Sequence, residues 1–361
     1  MALDRITLSR FRNHTETRLD STGQFNLLVG ENGAGKTNIL EALSLFAPGR
    51  GLRRVSPLEM ARHGSEGGFA IGADLADSDA APVRLGIQTR AVQPNRRLVR
   101  INGAEASAVG LGEWLSVGWL TPAMDGIFTD SAGARRRFID RLALALEPIH
   151  ARYATRYETA LRERNRLLAQ DDMPDRLWLD GVEKQLAEYG AMLAQGRAAL
   201  LTRLLDELAA LPPEPFARPH LAYARGGPID RDELQKALHD NRRQDRAASR
   251  TLIGPHRDEI LVTMEGKELP AGSCSTGEQK AMLIAIIIAH ANCAARGRPN
   301  ILLLDEVAAH LDPVRRATLF DRLRNSGAQI WLTGTELAPF DAIHGEAAIW
   351  HISAGHAQRR A

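Results

Sequence analysis

The stretch Gly30-Glu31-Asn32-Gly33-Ala34-Gly35-Lys36-Thr37 constrains this 361-residue chain more than any other feature. It satisfies the pattern G-x-x-x-x-G-K-[ST] in a setting that gives the pattern meaning. The apolar Phe25–Val29 before it reads as a buried strand, and Thr37–Phe46 after it as a helix with Ile39, Leu40, Leu43 and Phe46 on one face. Strand, glycine loop and helix in succession build an α/β layer. The glycines let backbone N–H groups turn toward phosphate oxygens, and the helix N-terminus adds the positive end of its dipole. On that reading Lys36 meets the β- and γ-phosphates of a nucleotide and the Thr37 hydroxyl ligates Mg²⁺. No N-K-x-D segment is present to read guanine, which leaves ATP favoured.

A second constraint lies far downstream. Ile301-Leu302-Leu303-Leu304-Asp305-Glu306 puts two carboxylates at the C-terminal end of an all-apolar strand, the edge of an open α/β sheet where ligands bind. Asp305 is placed to hold Mg²⁺ and Glu306 to orient or deprotonate an attacking water. Acids at strand ends are common, and it is the phosphate loop that gives this pair its meaning. Between the two motifs, Ser273–Lys280 opens a long apolar helix, Gly277–Ala295, with Ser275 and Glu278 at capping-box spacing. The same Ser275 hydroxyl, Gly277 backbone and helix dipole also suit a phosphate.

The texture of the chain divides it in three. Phe69–Ile101 reads as a short β-meander. The glycine-free segment from Ala134 to Asp180 spaces Leu142, Leu146, Ile149, Tyr153, Tyr157, Leu161 and Leu168 as a helix does, Pro148 standing at the first turn of a second helix. Leu177–Leu211 continues the pattern until Pro212-Pro213 stops it, and the two arms are expected to lie antiparallel. Arg135–Leu168 is net basic and Asp171–Leu211 net acidic, which favours that pairing weakly if the charges are exposed. Strands at Ile260–Met264, Ile301–Leu304 and Gln329–Thr333 then return the chain to a parallel sheet covered on both faces. We therefore expect an α/β fold with boundaries at 1–125, 126–250 and 251–361.

Composition excludes several classes. A formal charge of +2 with 44% hydrophobic and 25% charged residues belongs to a globular chain. Cys274 and Cys293 have neither the count nor the spacing of a disulfide framework or zinc site, so a reducing compartment, the cytoplasm, is expected. The longest apolar run, Ala281–Ala289, falls short of the ~18 residues a bilayer requires.

The phosphate loop, the Ser275-Thr276-Gly277-Glu278-Gln279-Lys280 segment thirty residues before Asp305, the L-L-L-D-E strand and Ala309-His310-Leu311-Asp312 together resemble ABC/SMC-type ATPase heads. With Phe11-Arg12-Asn13-His14 and Gly254-Pro255-His256-Arg257-Asp258 added, essentially the whole chain is similar to the RecF family. The resemblance implies an ABC-type P-loop ATPase head, lobe one, formed from both chain ends, with a helical lobe two inserted. It implies an ATP-dependent homodimer in which Ser275 and Gly277 of one copy reach the γ-phosphate on the other copy's Lys36, with Asp312 at the seam. It further implies weak, DNA-dependent hydrolysis, binding to gapped DNA or single/double-strand junctions, and work with RecR and RecO to help RecA displace single-strand-binding protein.

The chain departs from the wider pattern where Val117–Leu120 runs into Thr121-Pro122-Ala123-Met124 without a Q-loop glutamine, and where Thr333-Gly334-Thr335 replaces the transporter switch histidine, leaving Thr335 to sense the γ-phosphate. Phe11–Asn13 borders the adenine or forms a plain surface hairpin. Two arginine groups offer density for DNA phosphates, or a solvated face: Arg84, Arg90, Arg96, Arg97 and Arg100, and Arg242, Arg243, Arg246, Arg250 and Arg257. Arg135–Arg137 are expected to cap a helix or pair with the acidic arm. Other readings are the nucleotide-binding subunit of a membrane transporter and a structural SMC-like clamp. Arms of ~22 helical residues, reaching ~33 Å, are short for a cohesin-like rod.

Overall fold

The computed structural model describes every residue except 1, 63, 65–67, 77–80, 171, 173, 174, 213, 295–297 and 361. The chain opens with β1 (Ala2–Phe11), β2 (His14–Asp20), β3 (Phe25–Val29) and the phosphate-loop helix α1 (Lys36–Ser44). There follow α2 (Pro57–Met60), β4 (Ala70–Ala76), β5 (Val83–Arg90), β6 (Gln93–Ile101), β7 (Ala104–Ala106), α3 (Ala108–Trp114) and β8 (Ser116–Leu120). Three helices come next, α4 (Ala132–Leu146), α5 (His150–Leu168) and α6 (Arg176–Ala210). After β9 (Pro219–Ala224), α7 (Arg231–Asp240) and α8 (Arg242–Ala247) the chain forms β10 (Glu259–Met264), β11 (Leu269–Pro270) and α9 (Thr276–Ala294). It closes with β12 (Asn300–Leu304), α10 (Pro313–Asn325), β13 (Gln329–Gly334), β14 (Ala347–Ser353) and β15 (His356–Arg359). Ala295 and Pro213, where the long helix and the arm were expected to stop, lie outside the described residues.

Two units result: one of 1–125, 212–216 and 283–361, the other of 126–211 and 217–282. The second boundary thus falls at 282/283 and not at 250/251. Residues 251–282 stay with the helices because β10 pairs antiparallel with β9, and because Arg197 and Arg135 of the helices hold Asp258 and Glu259.

In the first unit, six strands run in the order β15-β14-β3-β13-β12-β8, parallel except at the β15 edge. Every residue of β3, β8, β12 and β13 is buried, which explains their predominantly apolar sequences. Trp331 on β13 and Trp350 on β14, both within 2% exposure, stack at 5.8 Å across the intervening β3. A second, antiparallel sheet, β2-β1-β4-β5-β6-β7, contains the expected meander and adds the N-terminal hairpin to it. Phe11 at the end of β1 is fully buried, edge-on to Phe69 at 5.1 Å, so it is a core residue and cannot border a base.

In the second unit, contacts run from Leu167 with Leu179 and Val182 back to Tyr157 with Leu186 and Leu193, so α5 and α6 are antiparallel. The helix α6 covers the expected Leu177–Leu211 span to within a residue at each end and runs unbroken for 35 residues, ~53 Å at 1.5 Å per residue, beyond the ~33 Å reach set for arms of ~22 residues. Its pairing charges are also not exposed. Arg164, with no accessible surface, donates to Glu183 on α6, to Asp245 on α8, to Thr251 and to the Leu238 carbonyl. Removing one partner from such a buried network leaves the other charges uncompensated, a cost of ~3–5 kcal/mol. Arg164→Met is therefore expected to lower unfolding free energy in urea by about that amount, whereas Arg166→Ala, whose pair with Glu163 is exposed, changes it by less than ~1 kcal/mol.

Candidate nucleotide site

The loop after β3 is shaped by glycines at two points. Gly35 has φ 116°, and a Cβ there would lie 2.7 Å from Asn13 Oδ1 and 2.8 Å from His14 Nε2. At Gly30 a Cβ would lie 2.1 Å from the Ile352 carbonyl. Lys36, the first residue of α1, is 5% exposed and donates to the carbonyls of Gly30 at 2.6 Å and Glu31 at 2.8 Å. Burial pulls its pKa down, while Glu306 and Asp305 pull it back up. The ammonium is thereby held at the loop with two replaceable carbonyl partners, and Glu31 and Asn32 remain exposed.

Strand order brings the downstream acids to this loop. β13 lies between β3 and β12, so the ends of β3 and β12 flank Thr333. Thr37 Oγ1 donates to Asp305, with its oxygens at 3.0 and 3.2 Å. Thr333 Oγ1 donates to Asp305 Oδ1 at 2.8 Å and accepts the Glu306 N–H at 2.9 Å. Glu306 has φ 53°, left-handed backbone that costs a non-glycine residue on the order of 1 kcal/mol or more and is tolerated where a site holds it. Thr333 is the residue sequence reasoning missed. Its signal was a polar residue at the C-terminal end of a buried strand, level with Asp305. Thr335, two residues on, is exposed, and no hydrogen bond of its side chain is present among the described residues. Thr121, at the end of β8, is buried but its hydroxyl likewise makes no such bond.

The β1–β2 turn braces the loop from behind. Asn13 donates to the Ala34 carbonyl at 2.9 Å and accepts from Asn38 at 2.8 Å. Arg12 grips Glu41, a fully buried carboxylate on α1, with two bonds of 2.6 and 2.8 Å, and Arg53 adds a third at 3.0 Å. His14, fully buried, has Nε2 at 3.1 Å from the Gly35 carbonyl and Nδ1 at 2.8 Å from Thr17 Oγ1. The carbonyl can only accept, so Nε2 carries a proton. Burial keeps the His14 pKa below its ordinary 6.5, so the ring is neutral at pH 7. Thr17 Oγ1 sits between Nδ1 and the Gly355 carbonyl, 3.0 Å away, with one proton for the two acceptors.

Elsewhere the expected residues fall as follows. Ser275 caps α9: its Oγ accepts the Glu278 N–H at 3.3 Å, and Glu278 Oε2 accepts the Ser275 N–H at 2.9 Å, completing the capping box. Lys267 and Ser275 together hold Glu278 at a pKa of about 2. Ser275 and Gly277 belong to the second unit. Asp312 caps α10, accepting the Arg315 N–H at 3.0 Å, and is half exposed.

Both arginine groups are divided. Arg97 turns inward to the Leu45 carbonyl at 3.3 Å, whereas Arg90 and Arg96 are exposed at the β5–β6 turn. Arg242 is consumed by Asp180 and Glu183, whereas Arg243, Arg250 and Arg257 are exposed. Arg135 pairs with Glu259 on β10 and not with the acidic arm, because α4 packs beside β10.

The architecture is an ABC-type P-loop ATPase head with a helical insertion. Residues 2–337 match the model for the RecF/RecN/SMC N terminal domain. A "DNA replication and repair protein RecF" of Brucella suis biovar 1 (strain 1330) is 44% identical, over 98% of this chain and 95% of its own. The protein of that description from Mesorhizobium japonicum is 45% identical, over 98% of this chain and 96% of its own. A solved structure described as the recombination mediator protein RecF-ATP in the RecFOR pathway superposes with TM-score 0.86 at 22% identity, covering 100% of this chain and 98% of that one. The chain therefore belongs to the RecF/RecN/SMC N-terminal domain family and, within it, to the RecF proteins of DNA replication and repair.

His14 ties the loop to acidity, and burial lowers the pKa of the half-buried His256 in the same direction. A depressed histidine pKa means the unfolded chain binds protons first, so stability falls as pH drops through the ordinary 6.5 toward the folded value. The thermal midpoint is expected to fall between pH 7 and pH 5.5, and the His14→Gln/His256→Gln pair to flatten that dependence relative to its own pH 7 value. Thr333→Val, which deletes both hydroxyl contacts, is expected to lower ATPase turnover ~10-fold or more while nucleotide binding measured by calorimetry changes little.

Proposed function

We propose that this chain is an ATP-dependent DNA-binding protein of recombinational repair and replication restart, working in the cytoplasm. The observation that carries the reading is the meeting of Thr37, Asp305 and Thr333 behind the Lys36 loop. A hydroxyl and a carboxylate converge there as hard oxygen ligands. Among the described residues no group of three or more His, Cys, Asp and Glu could hold a metal by itself. That donor set fits Mg²⁺ bound mainly through a nucleotide's phosphates and waters, with Thr37 and Asp305 completing the shell. Bound Mg²⁺ neutralises charge developing on the phosphates.

The residues divide the work. The loop of Gly30, Glu31, Asn32, Gly33, Ala34 and Gly35 wraps the β-phosphate with backbone N–H groups of its tip, while the Gly30 N–H holds the loop to the Gly334 carbonyl, and Lys36 exchanges its carbonyl partners for phosphate oxygens. Thr333 orients Asp305 and Glu306, and the Glu306 carboxylate positions the attacking water. Ser275, with its hydroxyl at the start of α9, and the Gly277 backbone of a second copy close over the γ-phosphate, with Asp312 at the seam. The dimer so formed binds gapped DNA or single/double-strand junctions and, with RecR- and RecO-type proteins, assists RecA loading, hydrolysing ATP slowly. What supports this reading beyond the geometry is family membership and the ATP named with a structural relative. Among the described residues no helix is long and apolar enough to cross a membrane.

Light scattering with and without ATP, Mg²⁺ and gapped DNA tests the scheme. Charge-assisted hydrogen bonds contribute ~1.5–3 kcal/mol, so Lys36→Ala is expected to weaken ATP binding ~10- to 100-fold and to abolish ATP-dependent DNA retention. Retention at the wild-type level in that variant would remove the site from the scheme. Glu306→Gln is expected to bind ATP and accumulate dimers, and Ser275→Arg to bind ATP as a monomer. Dimers of Ser275→Arg formed on ATP addition would refute the arrangement in trans.

A further inference from the structure

The segment Gly254-Pro255-His256-Arg257-Asp258 takes no part in the nucleotide site, yet it is held with unusual care. The Asp258 carboxylate accepts from Arg197 at 2.8 Å, from the Tyr223 hydroxyl and from the Gly226 N–H at 2.8 Å. Gly254 N–H donates to the Gly226 carbonyl at 3.0 Å. The two loops lie so close that a Cβ at Gly226 would be 2.5 Å from Arg257 Cβ, and one at Gly227 would be 2.9 Å from the Gly254 nitrogen. His256 is tied at both nitrogens, to the Tyr157 hydroxyl at 2.7 Å and the Thr251 carbonyl at 2.9 Å. Every inward-facing group of the segment is thus satisfied within the unit.

What remains outward is positive. Arg257 and Arg225 are exposed, on the two loops that the glycines clasp together. Arg136, from the first turns of α4, reaches the same place by donating Nη1 to the Asp258 carbonyl at 2.7 Å. Burial, and to a smaller extent Arg197, lower its pKa, against the opposing pull of Glu259, Asp258 and Asp140. The neighbouring acids are already used: Glu259 is gripped by two bonds from Arg135, Asp140 by two from Arg197, and Asp258 by its three donors. Three guanidiniums from three separate segments therefore lie about this clasp with no carboxylate bonded to them among the described residues.

We propose that Arg136, Arg225 and Arg257 form one contact site for the DNA phosphate backbone on the second unit. The proposal rests on the DNA-binding reading above and names where that contact is made. Planar guanidinium forks match phosphate oxygens in pairs, and the glycine clasp fixes the two loops that carry Arg225 and Arg257 against each other. The aromatic groups nearby, Tyr157 and Tyr223, face inward to His256 and Asp258, so bases find no stacking partner. Contact here is to sugar-phosphate and independent of sequence. The grouping could not be read from spacing, which placed Arg257 with Arg242, and Arg136 with the acidic arm.

Fluorescence anisotropy of labelled gapped duplex with ATP and Mg²⁺, over a series of KCl concentrations, tests it. Each phosphate contact contributes ~0.9 to the slope of log affinity against log salt. Arg257→Ala is expected to reduce that slope by ~0.9 and Arg225→Ala/Arg257→Ala by ~1.8, with ATP affinity unchanged. Arg152→Ala, an exposed arginine on α5, serves as the control for net charge. A slope unchanged in the double variant, an equal fall in Arg152→Ala, or a loss of ATP affinity overturns the site while leaving DNA binding in place. Absence of ATP-dependent binding by the wild-type protein would overturn the DNA-binding reading itself.

Discussion

A hydrogen bond between residues 268 positions apart, from the Thr37 hydroxyl to the Asp305 carboxylate, is the contact on which the first unit turns. It joins the residue that follows the phosphate-loop lysine to the end of a strand built from the other end of the chain. The bond exists because the parallel sheet inserts β13 between β3 and β12, so that three strand termini meet at one edge. At that edge Thr333 satisfies one Asp305 oxygen and pins the backbone of Glu306 in a left-handed conformation. A carboxylate, its neighbour and the loop hydroxyl are thereby held by a strand that supplies only an –OH. Such preorganisation is what charge stabilisation in phosphoryl transfer requires.

The second unit depends on a different device. Its helices are joined by arginines that lie inside it: Arg164 among Glu183, Asp245 and Thr251, and Arg197 among Asp140, Asp258 and the Pro255 carbonyl. Each guanidinium spends nearly all its donors on groups from three elements, which sets the relative position of helix, loop and strand in a way that apolar contact alone would leave freer. The cost is desolvation, and the return is geometric definition of the segment Gly254–Asp258. A rigid segment there gives Arg257 and its neighbours a fixed base.

Much of the site was legible in the sequence because its chemistry is local. A glycine loop with its strand and helix needs no distant residue to be recognised, and the D-E pair ends an apolar run. Capping of α9 by Ser275 and Glu278 was equally readable, since both partners lie within one turn. Thr333, the neutral His14 and the buried Glu41 were not. Each acquires its role from a partner on another strand or helix, and nothing within a few residues marks it. Arginine density misled for the same reason: Arg242 and Arg257 share a stretch of sequence, but one faces acids on α6 and the other faces solvent.

Local sequence by itself determined the elements, the phosphate loop and the class of chemistry, since hydrophobic period, glycine freedom and capping act over a few residues. Only the tertiary structure decided which carboxylate faces which hydroxyl, which arginines are spent inside and which remain outside, and where the second unit ends. Those outcomes depend on the order in which strands pair and on what each side chain meets there, and that order is set by the packing of the whole chain.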